Sequence, residues 1–100
     1  MNDPTLLVLT SLADCDKHGY AMMDDIERFA CVRLGPGTLY GAITRLEQHG
    51  WITPVGPRDR RQPYAITGAG REYLSTELTK MQRLSSTAAG RLNPAEVKPA

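Results

Sequence analysis

Residues 35–50, with the sequence GPGTLYGAITRLEQHG, restrict the folds available to this chain more than any other segment. Leu39, Ile43 and Leu46 recur at helical spacing, so the segment is predicted to form a helix with one buried face. The opposite face is small at its N-terminal end and polar further on, and it consists of Thr38, Gly41, Thr44, Arg45 and Gln48. Glycine inside a helix costs about 0.5–1 kcal/mol relative to alanine. The small face therefore indicates close approach of another backbone, and spacing alone allows either a packed helix or a nucleic acid.

The other local patterns predict a mainly α fold with a small two-stranded β-hairpin. Helical patterns cover residues 3–12, 18–30 and 68–85, and short β patterns cover residues 51–55 and 64–67. Asp3 or Thr5 is expected to cap the first helix and Thr67 the fourth. Three helices, a strand, a basic loop, a strand and a final helix follow the order of a winged helix-turn-helix module. In that module the third helix lies in the major groove and the hairpin tip reaches the phosphate backbone.

The length of the chain and its apolar patterns predict one domain that pairs with a second copy. One hundred residues, of which 41% are hydrophobic, are enough for one modest core. We expect a winged helix-turn-helix DNA-binding domain at 1–67, a C-terminal dimerisation helix at 68–85 and a mobile tail at 86–100. The first helix is apolar around much of its circumference, and the fourth carries an apolar stripe that resembles a coiled-coil seam. The predicted dimer interface consists of Leu6, Leu7, Leu9, Tyr73, Leu74, Leu78, Met81 and Leu84.

Charge is unevenly distributed along the chain, although the formal net charge is only +1. Residues 1–30 contain two basic and six acidic side chains, whereas residues 31–61 contain five basic and two acidic ones. A polyanion-binding face is therefore expected after residue 30. Arg58, Arg60 and Arg61 lie at the predicted hairpin tip, where they either contact phosphates or form a solvated charged loop.

Several classes of protein are excluded by what the sequence lacks. No apolar run approaches the roughly 20 residues that cross a bilayer, and the first residues are acidic where a secretory signal is basic, so we expect a cytoplasmic protein without a membrane partner. Cys15 and Cys31 are too few for a disulfide scaffold. Cys15, His18 and Cys31 do not make a metal site within one chain. A helix of about 12 residues, roughly 18 Å long, separates Cys31 from Cys15 and His18. We find no nucleophile–base pair, paired carboxylates or phosphate-binding glycine loop, which predicts a protein that is not an enzyme and needs no cofactor.

Four short motifs occur in order between residues 5 and 85. They are His18-Gly19-Tyr20, Pro36-Gly37-Thr38-Leu39-Tyr40, Arg45-Leu46-Glu47 with Gly50, and Tyr64 with Thr67, Gly70 and Arg71. Together they resemble the PadR family of bacterial transcriptional regulators. The resemblance implies a homodimer that binds double-stranded operator DNA, represses a neighbouring gene and is released by a small aromatic or drug-like effector. Gly35 and Gly41 depart from the family, which often has serine and proline there, so the base preference of relatives is not carried over.

The resemblance also implies individual contacts with DNA. Thr38 and Tyr40 match backbone-contacting positions of the recognition helix, and Tyr20 matches the tyrosine of the His-Gly-Tyr turn, which approaches phosphate. Arg45 is expected either to contact DNA or to pair with Glu47 on the helix surface. The full set of predicted DNA-contacting residues is Tyr20, Pro36, Gly37, Thr38, Tyr40, Gly41, Thr44, Arg45, Gln48, Arg58, Arg60 and Arg61.

Two other functions fit part of the sequence. A winged fold can serve as a protein-interaction module without binding DNA, and the near-neutral net charge and the acidic first third of the chain favour that alternative. The chain can also be a ligand or metal sensor in which DNA binding is secondary. An effector pocket would lie between subunits, bounded by the first and fourth helices. Trp51, the sole tryptophan, is expected to pack within the fold rather than to hold a ligand.

Overall fold

The computed structural model describes residues 3–56 and 61–93, and in them the chain forms four helices and three short strands. In chain order these are α1 Pro4–Leu12, β1 Lys17–His18, α2 Gly19–Ala30, α3 Pro36–Gln48, β2 Ile52–Pro54, β3 Pro63–Ile66 and α4 Gly68–Leu92. The predicted fold class, mainly helical with a small antiparallel sheet, is confirmed. None of the helices in these two ranges is both long enough and apolar enough to span a bilayer.

Side-chain caps fix where three of the helices begin. The Asp3 carboxylate accepts a hydrogen bond from the amide of Thr5 at 3.0 Å, so Asp3 rather than Thr5 caps α1. His18 caps α2, because its Nδ1 accepts a hydrogen bond at 3.3 Å from the amide three residues on. Thr67 caps α4 as predicted, and its hydroxyl accepts a hydrogen bond from the Gly70 amide at 3.1 Å. Each cap satisfies an amide that the start of a helix leaves without an intrahelical partner.

The sheet has three antiparallel strands in the order β1-β3-β2. The predicted hairpin is present as β2 and β3, and Pro54 lies on an edge strand as expected. The structure adds β1, a strand of two residues between α1 and α2, which pairs with Pro63 and Tyr64 of β3. Two residues cannot show strand periodicity, so only this long-range pairing defines β1. The consequence for the site is that the start of α2 is tied to the loop end of the β2–β3 hairpin.

The apolar core lies between α1, α2 and α3, and β2 covers one end of it. The apolar side chains that are at most 2% exposed are Val8, Leu9, Leu12, Met22, Met23, Ile26, Leu39, Ala42, Ile43, Leu46 and Ile52. The buried stripe predicted for residues 35–50 is thus confirmed. The prediction of Leu9 as a dimer contact is wrong, because a side chain that is 0% exposed packs inside its own chain and cannot meet a second one.

Helix α4 is longer than the sequence predicts. It ends at Leu92 rather than near residue 85, so residues 86–92 belong to the helix and not to a tail. Residues 94–100, the rest of the predicted tail, lie outside the described residues. The segment after residue 85 contains serine, threonine, alanine and glycine with little apolar periodicity, and its helical state therefore left little signal in the sequence.

Candidate nucleic-acid interface

The outward face of α3 is open to solvent along its whole length. Leu39, Ile43 and Leu46 hold the helix against the core, and this fixes which side is outward. The residues predicted to contact DNA from this helix are Pro36, Gly37, Thr38, Tyr40, Gly41, Thr44, Arg45 and Gln48, and all are exposed except Gly41, which is half-buried. The predicted outward face is therefore present as one continuous surface on a rigid helix.

The N-terminal end of this face offers backbone donors. Gly35 is the N-cap, and within the described residues no side chain makes a capping hydrogen bond there. Pro36 has no amide hydrogen and its fixed φ suits the first turn. The amides of Gly37 and Thr38 therefore point out of the helix end without an intrahelical acceptor. Donors of this kind, together with the positive end of the helix dipole, suit a phosphate oxygen.

The middle of the face is shaped by Gly41 and Arg45. A Cβ placed on Gly41 would lie 3.6 Å from Nη1 of Arg45, which is ordinary van der Waals contact. The arginine side chain thus lies back along the helix toward the glycine. Thr44 donates its hydroxyl proton to the Tyr40 carbonyl at 2.9 Å, so in this conformation only its oxygen lone pairs remain for a partner. The face is therefore shallow at Gly41, where no side chain projects, and this shallow point lies beside the guanidinium of Arg45.

A cleft beside α3 brings residues from three segments together. It is lined by His18, Gly19, Tyr20, Tyr40, Arg61, Gln62 and Tyr64 and has a volume of about 230 Å³. Tyr20 is 64% exposed and Tyr40 is 43% exposed, so both rings stand at the mouth of the cleft. The pairing of β1 with β3 holds this arrangement, because it places the start of α2 next to the hairpin strand that follows Arg61. The sequence motifs His-Gly-Tyr and Pro-Gly-Thr-Leu-Tyr therefore meet in space.

Gly19 explains how closely these motifs meet. A Cβ on Gly19 would overlap the hydroxyl of Tyr40 and would lie 2.7 Å from its Cζ, so only glycine leaves room for the tyrosine in this position. Tyr40 in turn places its hydroxyl against Gly19 in the first turn of α2, where the amides of Gly19 and Tyr20 have no intrahelical acceptor. The start of α2 and three tyrosines, Tyr20, Tyr40 and Tyr64, thus line one opening together with Arg61.

Of the three arginines predicted at the hairpin tip, the structure describes only Arg61. Arg61 is exposed and contributes to the cleft. Arg58 and Arg60 lie outside the described residues, so their predicted contacts stay predictions.

The acidic side chains of α2 are engaged in ion pairs. Asp24 lies 2.7 Å and Glu27 lies 3.0 Å from Nη1 of Arg33. The hydrogen bond from Arg33 holds the pKa of Asp24 below its usual value, and the pKa of Arg33 is raised by the same two carboxylates. Asp25 pairs with Arg28 at 3.5 Å. The acidic side chains of α2 are therefore held in local ion pairs, although exposed pairs of this kind stabilise the fold only slightly.

A second paired site lies at the turn before β1. Lys17 donates to Asp14 at 2.6 Å and also to the Ser11 carbonyl, and its side chain is 12% exposed. The hydrogen bond from Lys17 lowers the pKa of Asp14. Ser11, which is buried, donates to Asp25 at 2.7 Å. This network anchors the turn that leads into β1 and so supports the cleft from behind.

Cysteine and histidine have structural positions in the described residues. Cys15 and Cys31 are exposed free thiols, and His18 is the cap of α2. Residues 3–56 and 61–93 contain no group of three or more histidine, cysteine, aspartate or glutamate side chains arranged to hold a metal ion. Cys31 follows α2 with φ of 56°, a left-handed conformation that ends the helix.

An apolar groove lies between α1 and α4. Its lining is Asp3, Leu6, Leu7, Thr10, Leu74, Leu78 and Met81. Leu6, Leu7 and Leu74 are almost buried already, whereas Leu78 is 46% and Leu84 is 67% exposed. Tyr73, predicted in the same interface, is half-buried and stacks its ring on Trp51 of its own chain with centroids 3.8 Å apart, and its contact with a second chain stays a prediction. Five of the predicted interface residues, Leu6, Leu7, Leu74, Leu78 and Met81, thus line one apolar strip.

Comparisons with known proteins identify a family and a relative. The model of the transcriptional regulator PadR-like family matches residues 8–76. A protein of transposon Tn4556 from Streptomyces fradiae, described as an uncharacterized 37.1 kDa protein, is 45% identical over 96 residues. The match covers 96% of this chain, and the chain spans 28% of the length of that relative.

Solved structures share the fold. A transcriptional regulator from Clostridium thermocellum is 24% identical with a TM-score of 0.75, and the match covers 86% of each chain. A PadR family transcription regulator from Clostridium difficile is 20% identical with a TM-score of 0.79, over 89% of this chain and 97% of that one. A PadR-like transcription factor from Bacteroides fragilis is 19% identical with a TM-score of 0.75, over 85% of both chains.

Proposed function

Because this chain belongs to the PadR-like family of transcriptional regulators, we propose that it binds operator DNA as a homodimer through α3 and the adjacent cleft. The family consists of transcription regulators and not enzymes, as the sequence predicts.

The observation that carries the proposal is one opening beside the exposed face of α3, which is lined by Tyr20 at the start of α2, by Tyr40 of α3 and by Arg61. Backbone amides, tyrosine hydroxyls and a guanidinium are all donors to phosphate oxygens. Phosphates of one strand lie in the cleft, and α3 then enters the neighbouring major groove. Thr44, Arg45 and Gln48 are the side chains that reach base edges in this arrangement.

The apolar strip on α1 and α4 supports a dimer. Helix α4 has 25 residues, and those from 82 to 89 are all exposed, so about half of the helix leaves the body of the chain. A projecting helix with exposed leucines gains stability when a second copy covers it. We assign residues 1–67 to DNA binding and α4 to dimerisation. In the dimer, two copies of α3 enter successive major grooves about 34–36 Å apart.

We extend the proposal to repression in the cytoplasm with release by a small effector. A dimer that spans two major grooves covers DNA that a polymerase must engage. The α1–α4 groove of one chain is about 140 Å³, less than the roughly 300 Å³ at which ligand pockets begin. An aromatic effector therefore needs a pocket that the partner completes. Its binding then changes the relative position of the two DNA-binding domains.

The test is a gel shift with fragments of the genomic DNA that surrounds the coding sequence, at two salt concentrations and with random duplex as competitor. A regulator retains one fragment selectively and binds it more weakly at higher salt, because phosphate contacts release counterions. No selective shift at either salt contradicts the proposal and favours the protein-interaction module.

Matched variants assign the contacts. Arg61→Ala should reduce the slope of log affinity against log salt by about one per protomer, because each phosphate contact contributes about 0.9. Arg83→Ala removes another exposed arginine, on α4, and should leave the slope unchanged. Gln48→Ala should change the ranking of operator sequences with little effect on the slope.

A further inference from the structure

Three aromatic rings lie in a continuous stack where α3, β2 and α4 meet. His49 directly follows α3, Trp51 directly precedes β2, and Tyr73 lies in the second turn of α4. The centroids of His49 and Trp51 are 4.3 Å apart, and those of Trp51 and Tyr73 are 3.8 Å apart. In each pair the two ring planes are inclined to each other by 12°. Trp51 therefore has an aromatic ring against each face, one from the end of α3 and one from α4.

Backbone hydrogen bonds lock the same place. The Trp51 amide donates to the Leu46 carbonyl, which is the end of α3, and the Thr67 amide donates to the Trp51 carbonyl, both at 3.0 Å. The Thr67 hydroxyl donates to the Gly50 carbonyl at 2.7 Å and accepts from the Gly70 amide. Gly70 lies so close to the Trp51 carbonyl that a Cβ there would overlap the oxygen. The first turn of α4 thus packs directly against Trp51, which connects α3 to β2.

We propose that this aromatic stack is a rigid joint that fixes α4 relative to the recognition helix, and that Trp51 and Tyr73 are thereby positioning residues for DNA recognition. The inference rests on the proposed function, because only a dimer joined through α4 converts the angle at the joint into a distance between two copies of α3. A small rotation at the joint is magnified along α4, which spans about 37 Å for its 25 residues. The joint then determines which half-site spacing the dimer accepts.

The first test measures the joint without DNA. A spin label on Glu47→Cys, an exposed position of α3, reports the distance between the two recognition helices in the dimer after both exposed native cysteines are replaced by serine. The expected result is one narrow distance distribution that Tyr73→Leu broadens or shifts. Tyr73→Phe keeps the ring and should restore the narrow distribution. Phe29→Leu, which truncates a 45% exposed ring on α2, is the matched control and should change nothing.

The second test measures spacing on DNA. A duplex selected for binding to the wild-type protein is compared with duplexes in which the half-sites are moved apart by one or two base pairs. Tyr73→Leu should bind the selected duplex about three- to tenfold more weakly, the equivalent of one aromatic pair, and should lose less affinity than the wild-type protein when the spacing changes. A weaker affinity at every spacing by the same factor would indicate an ordinary loss of stability and overturn the joint.

The two proposals fail in different ways. Absence of selective duplex binding by the wild-type protein contradicts the proposed function, while the label distance still decides whether the stack fixes α3. An unchanged distance distribution in Tyr73→Leu overturns the joint even if DNA binding is strong. A monomer by sedimentation at the labelling concentration also overturns it.

Discussion

Replacement of Gly41 by alanine separates what α3 needs for folding from what it needs for binding. The position is inside a helix of 13 residues, and a Cβ there meets only Nη1 of Arg45 at 3.6 Å. The new methyl group therefore fits the free protein. Alanine should stabilise the helix by about 0.5–1 kcal/mol. For a domain of this size, that gain should raise the melting temperature by about 2–8 °C.

The same methyl group should weaken DNA binding, because it fills the low point of the face that enters the groove. An added methylene at a close-packed surface costs about 1–3 kcal/mol, so we expect at least a fivefold loss of affinity for the selected duplex at about 1 kcal/mol. Gly68→Ala is the control, since it adds a methyl group in open space at the exposed start of α4. Thermal melting followed by circular dichroism and fluorescence anisotropy with labelled duplex measure the two effects. A higher melting temperature with undiminished affinity would refute the close approach of DNA. A lower melting temperature would refute the fit of the methyl group in the free protein.

Three further substitutions test the surrounding structure. Gly19→Ala should push the Tyr40 ring out of its place with little change in melting temperature, because the ring can swing into solvent, and should weaken duplex binding in anisotropy measurements; unchanged binding would contradict the role of the cleft. Gly70→Ala should destabilise the fold by about 1–3 kcal/mol in urea denaturation, because its Cβ meets the rigid Trp51 carbonyl rather than a mobile side chain; a neutral result would contradict that packing. Leu78→Asp should convert the dimer to a monomer in sedimentation velocity, and a dimer that persists would place the interface elsewhere.

Much of the fold follows from local patterns in the sequence. The stripe at Leu39, Ile43 and Leu46 recurs at helical spacing, and these three residues are at most 2% exposed in the structure. Pro54 and Thr67 predicted an edge strand and a cap because their constraints are local and act at a single position. The family resemblance, carried by motifs in α2, α3 and the hairpin, is confirmed by a family match over residues 8–76.

The parts that the sequence did not predict depend on contacts between distant residues. Strand β1 exists because two residues pair with β3 more than forty positions later, and no local period marks them. Apolar character predicts Leu9 in an interface, but tertiary packing directs it into the core. The stack of Tyr73 on Trp51 likewise has no local signal in the sequence. The proximity of Gly19 and Tyr40 has a local signal in the two motifs, yet only the fold shows that they touch.

The central claim is that duplex DNA occupies the cleft and the face of α3, and amide hydrogen exchange with and without the selected duplex tests it most directly. The account predicts that DNA slows exchange at Gly19, Tyr20, Gly37 and Thr38, whose amides lie at the starts of α2 and α3 and lack intrahelical acceptors. The amides along the outward side of α4 beyond residue 81 should be unaffected by the duplex. Slower exchange confined to α4 or to the paired acidic side of α2, with none at the starts of α2 and α3, would contradict the account.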